Sequence, residues 1–149
     1  DGVLLVDMPP AESASLHSLL SAEGIDTIYL VAPTTTDERA RSIVKVTSGY
    51  LYYVSLKGVT GAALVDYASV AENIGNLRGM TDLPIMVGFG IKDGESAVAM
   101  AEFADGVIIG SALVSEIAKL SEQEGNSEFP ISQTTAMISV VRDALDQMS

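Results

Sequence analysis

Residues 50–61 read Y-L-Y-Y-V-S-L-K-G-V-T-G, an aromatic and β-branched run that gives way to two glycines flanking Val59 and Thr60. Such a run favours a pleated, half-buried strand, and the glycines let the following backbone come close to a ligand. The same grammar recurs at Leu83–Gly90 (L-P-I-M-V-G-F-G) and at Gly106–Ser111 (G-V-I-I-G-S). Three strand ends that pass through glycine, each followed by a helical pattern, point to one phosphate site built largely from backbone amides. One such glycine alone would be read as a turn former. Three in successive units favour the ligand reading.

Composition allows this. An apolar fraction of 48% and a positive mean hydropathy exclude a disordered chain, and 149 residues suffice for one domain with a sizeable core. No apolar run reaches the roughly 18 residues of a membrane span, so the expectation is a soluble, cytoplasmic protein. With no cysteine and a single histidine, His17, thiolate metal sites and His-dependent triads drop out, and no metal is expected. His17 itself reads as a surface residue. Eight basic against 20 acidic residues give a net charge of −12, which argues against nucleic acid. A small phosphate ligand is still compatible, because glycine amides and a helix N-terminus hold an anion without side-chain cations.

Outward from the opening stretch, strand and helix patterns alternate. Val3–Val6 is a short apolar run suited to a buried parallel strand, closed by Asp7-Met8-Pro9-Pro10. Glu12–Glu23 reads as a helix with a stripe of Ala14, Leu16, Leu19 and Leu20, stopped by Gly24. Ile25–Ala32 is a strand. A helix capped by Thr36 or Asp37 runs to about Thr47, with Ala40, Ile43, Val44 and Val46 inward. Tyr50–Ser55 is the third strand, with Tyr50 and Tyr52 on one face and Tyr53 on the other. A helix over Leu64–Arg78, a strand over Pro84–Gly88, a helix over Glu95–Phe103 and a strand over Val107–Ile109 follow. Ala112–Lys119 is a short helix, Ser121–Phe129 a polar loop, and Ile131–Met148 a terminal helix. No linker divides the chain, so residues 1–149 read as a single domain.

This alternation demands a parallel sheet with right-handed crossovers. The first turn is D-M-P-P, which lacks the G-x-G-x-x-G of a dinucleotide fold. The glycine-bearing strand ends come last in the chain, followed by a short extra helix, which is the pattern of phosphate sites in (β/α)8 barrels. The expected fold class is therefore α/β, a parallel TIM-barrel type. The chain supplies about five βα units, strands 4–8 of the barrel, plus C-terminal helices. Asp1-Gly2 directly before a strand reads as a beginning inside something larger.

The assembled motifs, V-L-L-V-D-M-P (3–9), Y-Y-V-S-L-K-G-V-T-G (52–61), P-I-M-V-G-F-G-I (84–91) and G-V-I-I-G-S-A (106–112), resemble the tryptophan synthase α-subunit family over nearly the whole chain. The resemblance implies a lyase that cleaves indole-3-glycerol phosphate, by a retro-aldol step, to indole and glyceraldehyde 3-phosphate. The partner it implies is a β subunit that carries pyridoxal phosphate, with no cofactor in this chain. Carried over by motif, Thr60, Gly61, Phe89, Gly90, Gly110 and Ser111 would bind the substrate phosphate. Tyr52, Leu4 and Leu30 would line the indole pocket, Ser55–Gly61 would form a mobile lid, and Asp7, Met8 and Pro9 would face the β subunit. On position alone, Asp7 also qualifies as a barrel-top carboxylate, and Ser111 as a helix N-cap.

The family's acid and base are a Glu and an Asp on barrel units that precede these, and no acidic residue here matches either motif. No catalytic residue is thus expected in this chain, and the chain alone is expected to be inactive, because retro-aldol cleavage needs proton transfer at two places. The competing reading is a non-catalytic half-barrel that binds a phosphate ligand or a partner. Another phosphate-binding barrel, of the ribulose-phosphate kind, would need a catalytic Lys or Asp on these strands, and none is convincing. Five open units would expose two strand edges and an apolar face, so association with an N-terminal half-barrel or with itself is expected.

Overall fold

The computed structural model describes residues 1–6, 8–9, 12–55, 66–88, 90–123 and 131–148. Five strands alternate with helices: β1 (Gly2–Leu5), α1 (Ala14–Ala22), β2 (Asp26–Val31), α2 (Asp37–Val44), β3 (Leu51–Val54), α3 (Tyr67–Arg78), β4 (Ile85–Gly88), α4 (Gly94–Ala101) and β5 (Gly106–Ile108). Two helices follow, α5 (Ser111–Gln123) and α6 (Ile131–Asp146). All strand pairs are parallel and the order is β1-β2-β3-β4-β5, as successive right-handed βα units require.

Local chemistry sets most boundaries. The Thr36 side chain accepts from the Arg39 amide at the start of α2, and Asp66 accepts from the Ser69 amide at the start of α3. Asp93 and Ser96 close a reciprocal capping box on α4. Gly24 takes φ +66° just past α1, the left-handed conformation that ends a helix most cheaply on glycine. Helix α5 runs to Gln123, so residues 121–123 are helical where a polar loop was expected; 124–130 lie outside the described residues. The preceding apolar and charged periodicity continues through Ser121, and nothing in residues 120–123 breaks a helix.

The core lies on one face of the sheet. Tyr29 and Val31 of β2, Leu51 and Tyr53 of β3, and Ile85 and Val87 of β4 are buried there against Ala40 and Ile43 of α2, Val70, Ile74 and Leu77 of α3, and Ala97 and Met100 of α4. Val141 of α6 joins the same cluster. Strand alternation places Leu4, Leu30, Tyr52, Val54 and Met86 on the opposite face, where each is only half-buried. Among the described residues β1 and β5 pair on one side alone, so the sheet has two open edges.

Helix α1 departs from its expected stripe. Leu19 is 68% exposed, and Ser13, Leu16, His17 and Leu20 form the sheet-side row instead. That row has the i, i+3, i+4, i+7 spacing of one helix face, so Leu16 and Leu20 face the sheet as expected while Ser13 and His17 join them in place of Ala14 and Leu19. The reason is polar matching on β2. The Ser13 hydroxyl bonds the Tyr29 hydroxyl, and His17 Nδ1 lies 3.1 Å from Thr27 Oγ1. His17 is therefore half-buried and partnered, not a surface residue.

Candidate ligand site at the strand ends

The C-terminal ends of β3, β4 and β5 lie side by side, because register pairs Val54 with Gly88 and Gly88 with Ile108. The chain continues the pairing one residue further, with the Ser55 amide donating to the Gly88 carbonyl at 3.3 Å. Ser55 is 2% exposed, so this end of the sheet is anchored before the chain enters residues 56–65. Thr60, Gly61 and Phe89, three of the six expected phosphate-binding residues, lie outside the described residues, as does Asp7.

The other three are described, and their chemistry differs. Gly90 has φ +76°, so the fold alone calls for glycine there. Gly110 needs no such explanation: it is exposed, and a side chain added to it would meet nothing within 4 Å. Its carbonyl accepts from the Val114 amide at 3.1 Å, which makes Gly110 the cap position and Ser111 the first helical residue of α5. Ser111 is thus displaced by one place from the N-cap role expected of it. A glycine cap has no side chain to occupy the first α5 amides, whereas α2, α3 and α4 each receive a side-chain oxygen at the same place.

Below these ends, Leu30 and Tyr52 are register partners on the half-buried face, and Leu4 stands on the same face one strand further out, opposite Ile28. The structure therefore brings the three expected pocket residues onto one surface. It adds Met86, the register partner of both Tyr52 and Gly106, and Val54. Strand alternation from Val87 could have found Met86 in the sequence. Two glycines shape this surface. A side chain at Gly88 would overlap the Tyr52 hydroxyl and ring, and one at Gly106 would come within 2.6 Å of Met86 Sδ. Burial, with Tyr50 nearby as the smaller cause, pushes the Tyr52 hydroxyl above its ordinary pKa, so it is a neutral hydrogen-bonding group.

Among the described residues, the Asp93 and Asp105 carboxyls are held below the ordinary range. Asp93 is stabilised as an anion by the Ser96 hydroxyl and amide, and Asp105 by the Ile85 amide and then Arg78. Asp105 sits at the opposite, N-terminal end of β5. Neither has the raised pKa of a general acid at neutral pH. Among the described residues no group of three or more His, Cys, Asp or Glu could hold a metal ion, and no helix is long and apolar enough to cross a membrane. Met8 and Pro9 lie exposed past the end of β1, where the Pro9 carbonyl accepts from the Glu12 amide at 2.9 Å.

A parallel sheet with successive crossover helices, glycine-rich strand ends and a glycine-capped helix directly after the last strand defines an α/β fold of the TIM-barrel type. The family model described as tryptophan synthase alpha chain matches residues 1–142, and the chain belongs to that family. It is 46% identical to the tryptophan synthase alpha chain of a Psychrobacter species over 151 aligned positions, covering 100% of this chain and 55% of that protein. The Acinetobacter baumannii alpha chain is also 46% identical, covering 99% and 54%. The crystal structure of the alpha chain from Legionella pneumophila superposes with a TM-score of 0.82 at 39% identity, over 100% of this chain and 53% of that one. The chain spans about half the length of the relatives it matches.

Proposed function

We propose that residues 1–149 form one partial barrel domain carrying the phosphate-binding half of an indole-3-glycerol-phosphate lyase site. The observation that carries this reading is Gly110. Neither a positive φ nor crowding calls for glycine there, yet it caps α5 directly after β5 and brings none of the side-chain oxygens that cap α2, α3 and α4. Close approach of an anion to the first α5 amides supplies the reason. Thr60, Gly61, Phe89, Gly90 and Ser111 complete the phosphate cup in this reading. Tyr52, Leu4 and Leu30, joined by Met86, supply the apolar wall against which an indole ring packs.

In the complete reaction the carbon–carbon bond between indole and the glycerol phosphate breaks, with a proton delivered to the indole ring and one removed from a glycerol hydroxyl. This chain holds the substrate's two ends and supplies neither proton-transfer group. The acid and base belong to barrel units outside its sequence, so the purified chain should bind substrate weakly and turn over none. Asp7, Met8 and Pro9 would face a β subunit that carries pyridoxal phosphate, and the setting would be cytoplasmic.

The test has two arms on the purified chain. Calorimetry with glycerol 3-phosphate should show saturable binding, reduced at least about tenfold by Gly110→Asp, which sets a carboxylate against the anion. An indole-release assay should stay at background. Release clearly above background would overturn the division of labour, and unaltered binding by Gly110→Asp would overturn the phosphate site.

A further inference from the structure

A second polar site lies behind the sheet, on the side away from the strand-end pocket. Tyr53 is 1% exposed, and its hydroxyl is the one buried side-chain polar atom among the described residues without a hydrogen-bond partner. A buried hydroxyl in that state costs on the order of a lost hydrogen bond, so native structures rarely leave one unserved. The hydroxyl ends in a narrow cleft between α2 and α3, lined also by Thr35, Asp37, Asn73 and Asn76. The cleft offers about 40 Å³ in which the centre of a water molecule fits. At roughly 10–15 Å³ for each water, that is room for about three.

The lining suits water. Asn73 spends one amide proton on the Ser69 carbonyl at 2.7 Å and retains its other donor and its oxygen. Asn76 and Asp37 stand exposed at the mouth, so the chain of polar groups runs from the buried phenol to solvent. Thr35 is half-engaged, its hydroxyl accepting from the Ala32 amide at 3.0 Å.

We propose that this cleft is a built water site. One ordered water bridges the Tyr53 hydroxyl to the Asn73 amide, with one or two more continuing to Asn76 and Asp37. The Asn73 side chain faces the Tyr53 hydroxyl closely enough to act on its pKa, and the water completes a tie between β3 and α3 that no well-formed direct bond supplies. Burial, the larger influence, keeps the Tyr53 hydroxyl protonated, with hydrogen bonding toward the Asn73 side chain acting the other way, so it can both donate to and accept from the water.

Tyr53→Phe decides the matter by the sign of its effect. An unserved hydroxyl is a liability, and its removal would raise the thermal midpoint. A bridged one contributes, and its removal should lower the midpoint by about 2–4 °C. In an Asn73→Ala background the same substitution should cost clearly less, because the bridge is already broken; the cycle cancels the Ser69 bond that Asn73→Ala also removes. A raised midpoint, or equal costs in both backgrounds, would overturn the proposal. A crystal structure of the unsubstituted chain at a resolution that shows ordered water separates a bridging water from a direct Tyr53–Asn73 bond, and it also gives the answer should Tyr53→Phe fail to fold. Density within hydrogen-bond reach of Tyr53 Oη and the Asn73 amide supports the bridge, and a dry cleft rules it out.

Discussion

Glycines at the strand ends look alike in the sequence, and the backbone separates them into three kinds. Gly90 is conformational: at φ +76°, Gly90→Ala should cost about 1–2 kcal/mol, measured as a drop in denaturant unfolding free energy. Gly110 is neither strained nor crowded, so Gly110→Ala should cost only the loss of a glycine cap, about 0.5 kcal/mol, while weakening phosphate binding. A stability loss there as large as at Gly90 would assign Gly110 to the fold and remove the main support for the anion site. Gly88 is a packing glycine, whose missing side chain makes space for Tyr52. Gly88→Ala should cost about 1–3 kcal/mol, the range for overfilling a packed site. Retained stability would then require Tyr52 to swing away, which its fluorescence and near-UV dichroism would report.

Among the elements, β4, β5 and α3 meet at a polar clamp on the end of the sheet away from the candidate ligand site. Asp105 Oδ2 accepts from the Ile85 amide at 2.8 Å, and its other oxygen lies 3.1 Å from an Arg78 Nη that also donates to the Phe103 carbonyl. The Arg78 and Asp105 side chains are 46% and 38% exposed, so the ion pair itself contributes little and the amide bond matters more. Asp105→Ala, which strands the Ile85 amide, should cost about 1–2 kcal/mol. The folded state holds the Asp105 carboxyl below the ordinary carboxylate value of about 4. Its contribution is therefore complete above that value and lost as pH falls through the lowered one. Denaturant midpoints of Asp105→Asn measured down through this range should fall less steeply with acid than those of the unsubstituted chain. Parallel acid limbs would show that other carboxyls carry the dependence. Asp93 shifts in the same direction, but its capping box lies on the surface of α4.

For the whole molecule the asymmetry of the sheet matters most. One face is closed by α2, α3, α4 and α6, while the other leaves Leu4, Leu30, Tyr52, Val54 and Met86 half-buried beside two open edges. Val3 and Val6, 38% and 65% exposed, add apolar surface around the β1 edge. Such a surface favours association, either with further barrel units or with a second copy. Sedimentation of the purified chain should show a weight-average mass rising with concentration. A concentration-independent monomer with a single cooperative unfolding transition would mean that this face is stable in water as it stands.

The alternating periods of the sequence were enough for the parallel α/β order, because a strand buried on its helix side and a helix with an apolar stripe leave different repeats. Tyr50–Ser55 contained β3, with Tyr53 correctly set opposite Tyr52, since strand alternation is a local property. The motif match likewise carried the family. What the sequence could not decide were contacts made across the chain. On α1 the inward row kept Leu16 and Leu20 but took Ser13 and His17 in place of Ala14 and Leu19, because Thr27 and Tyr29 await them on β2, and hydropathy alone favours Leu19. The distinct reasons for Gly88, Gly90 and Gly110 depend on neighbours one strand away and on a dihedral angle, neither of which a single letter encodes. Tyr53 reads as one more core aromatic, and only the packing of α2 against α3 leaves its hydroxyl at the floor of a polar cleft. Local pattern determines which elements form, because it is written in neighbouring residues; which side chains meet, and which are left without a partner, is settled when distant elements pack.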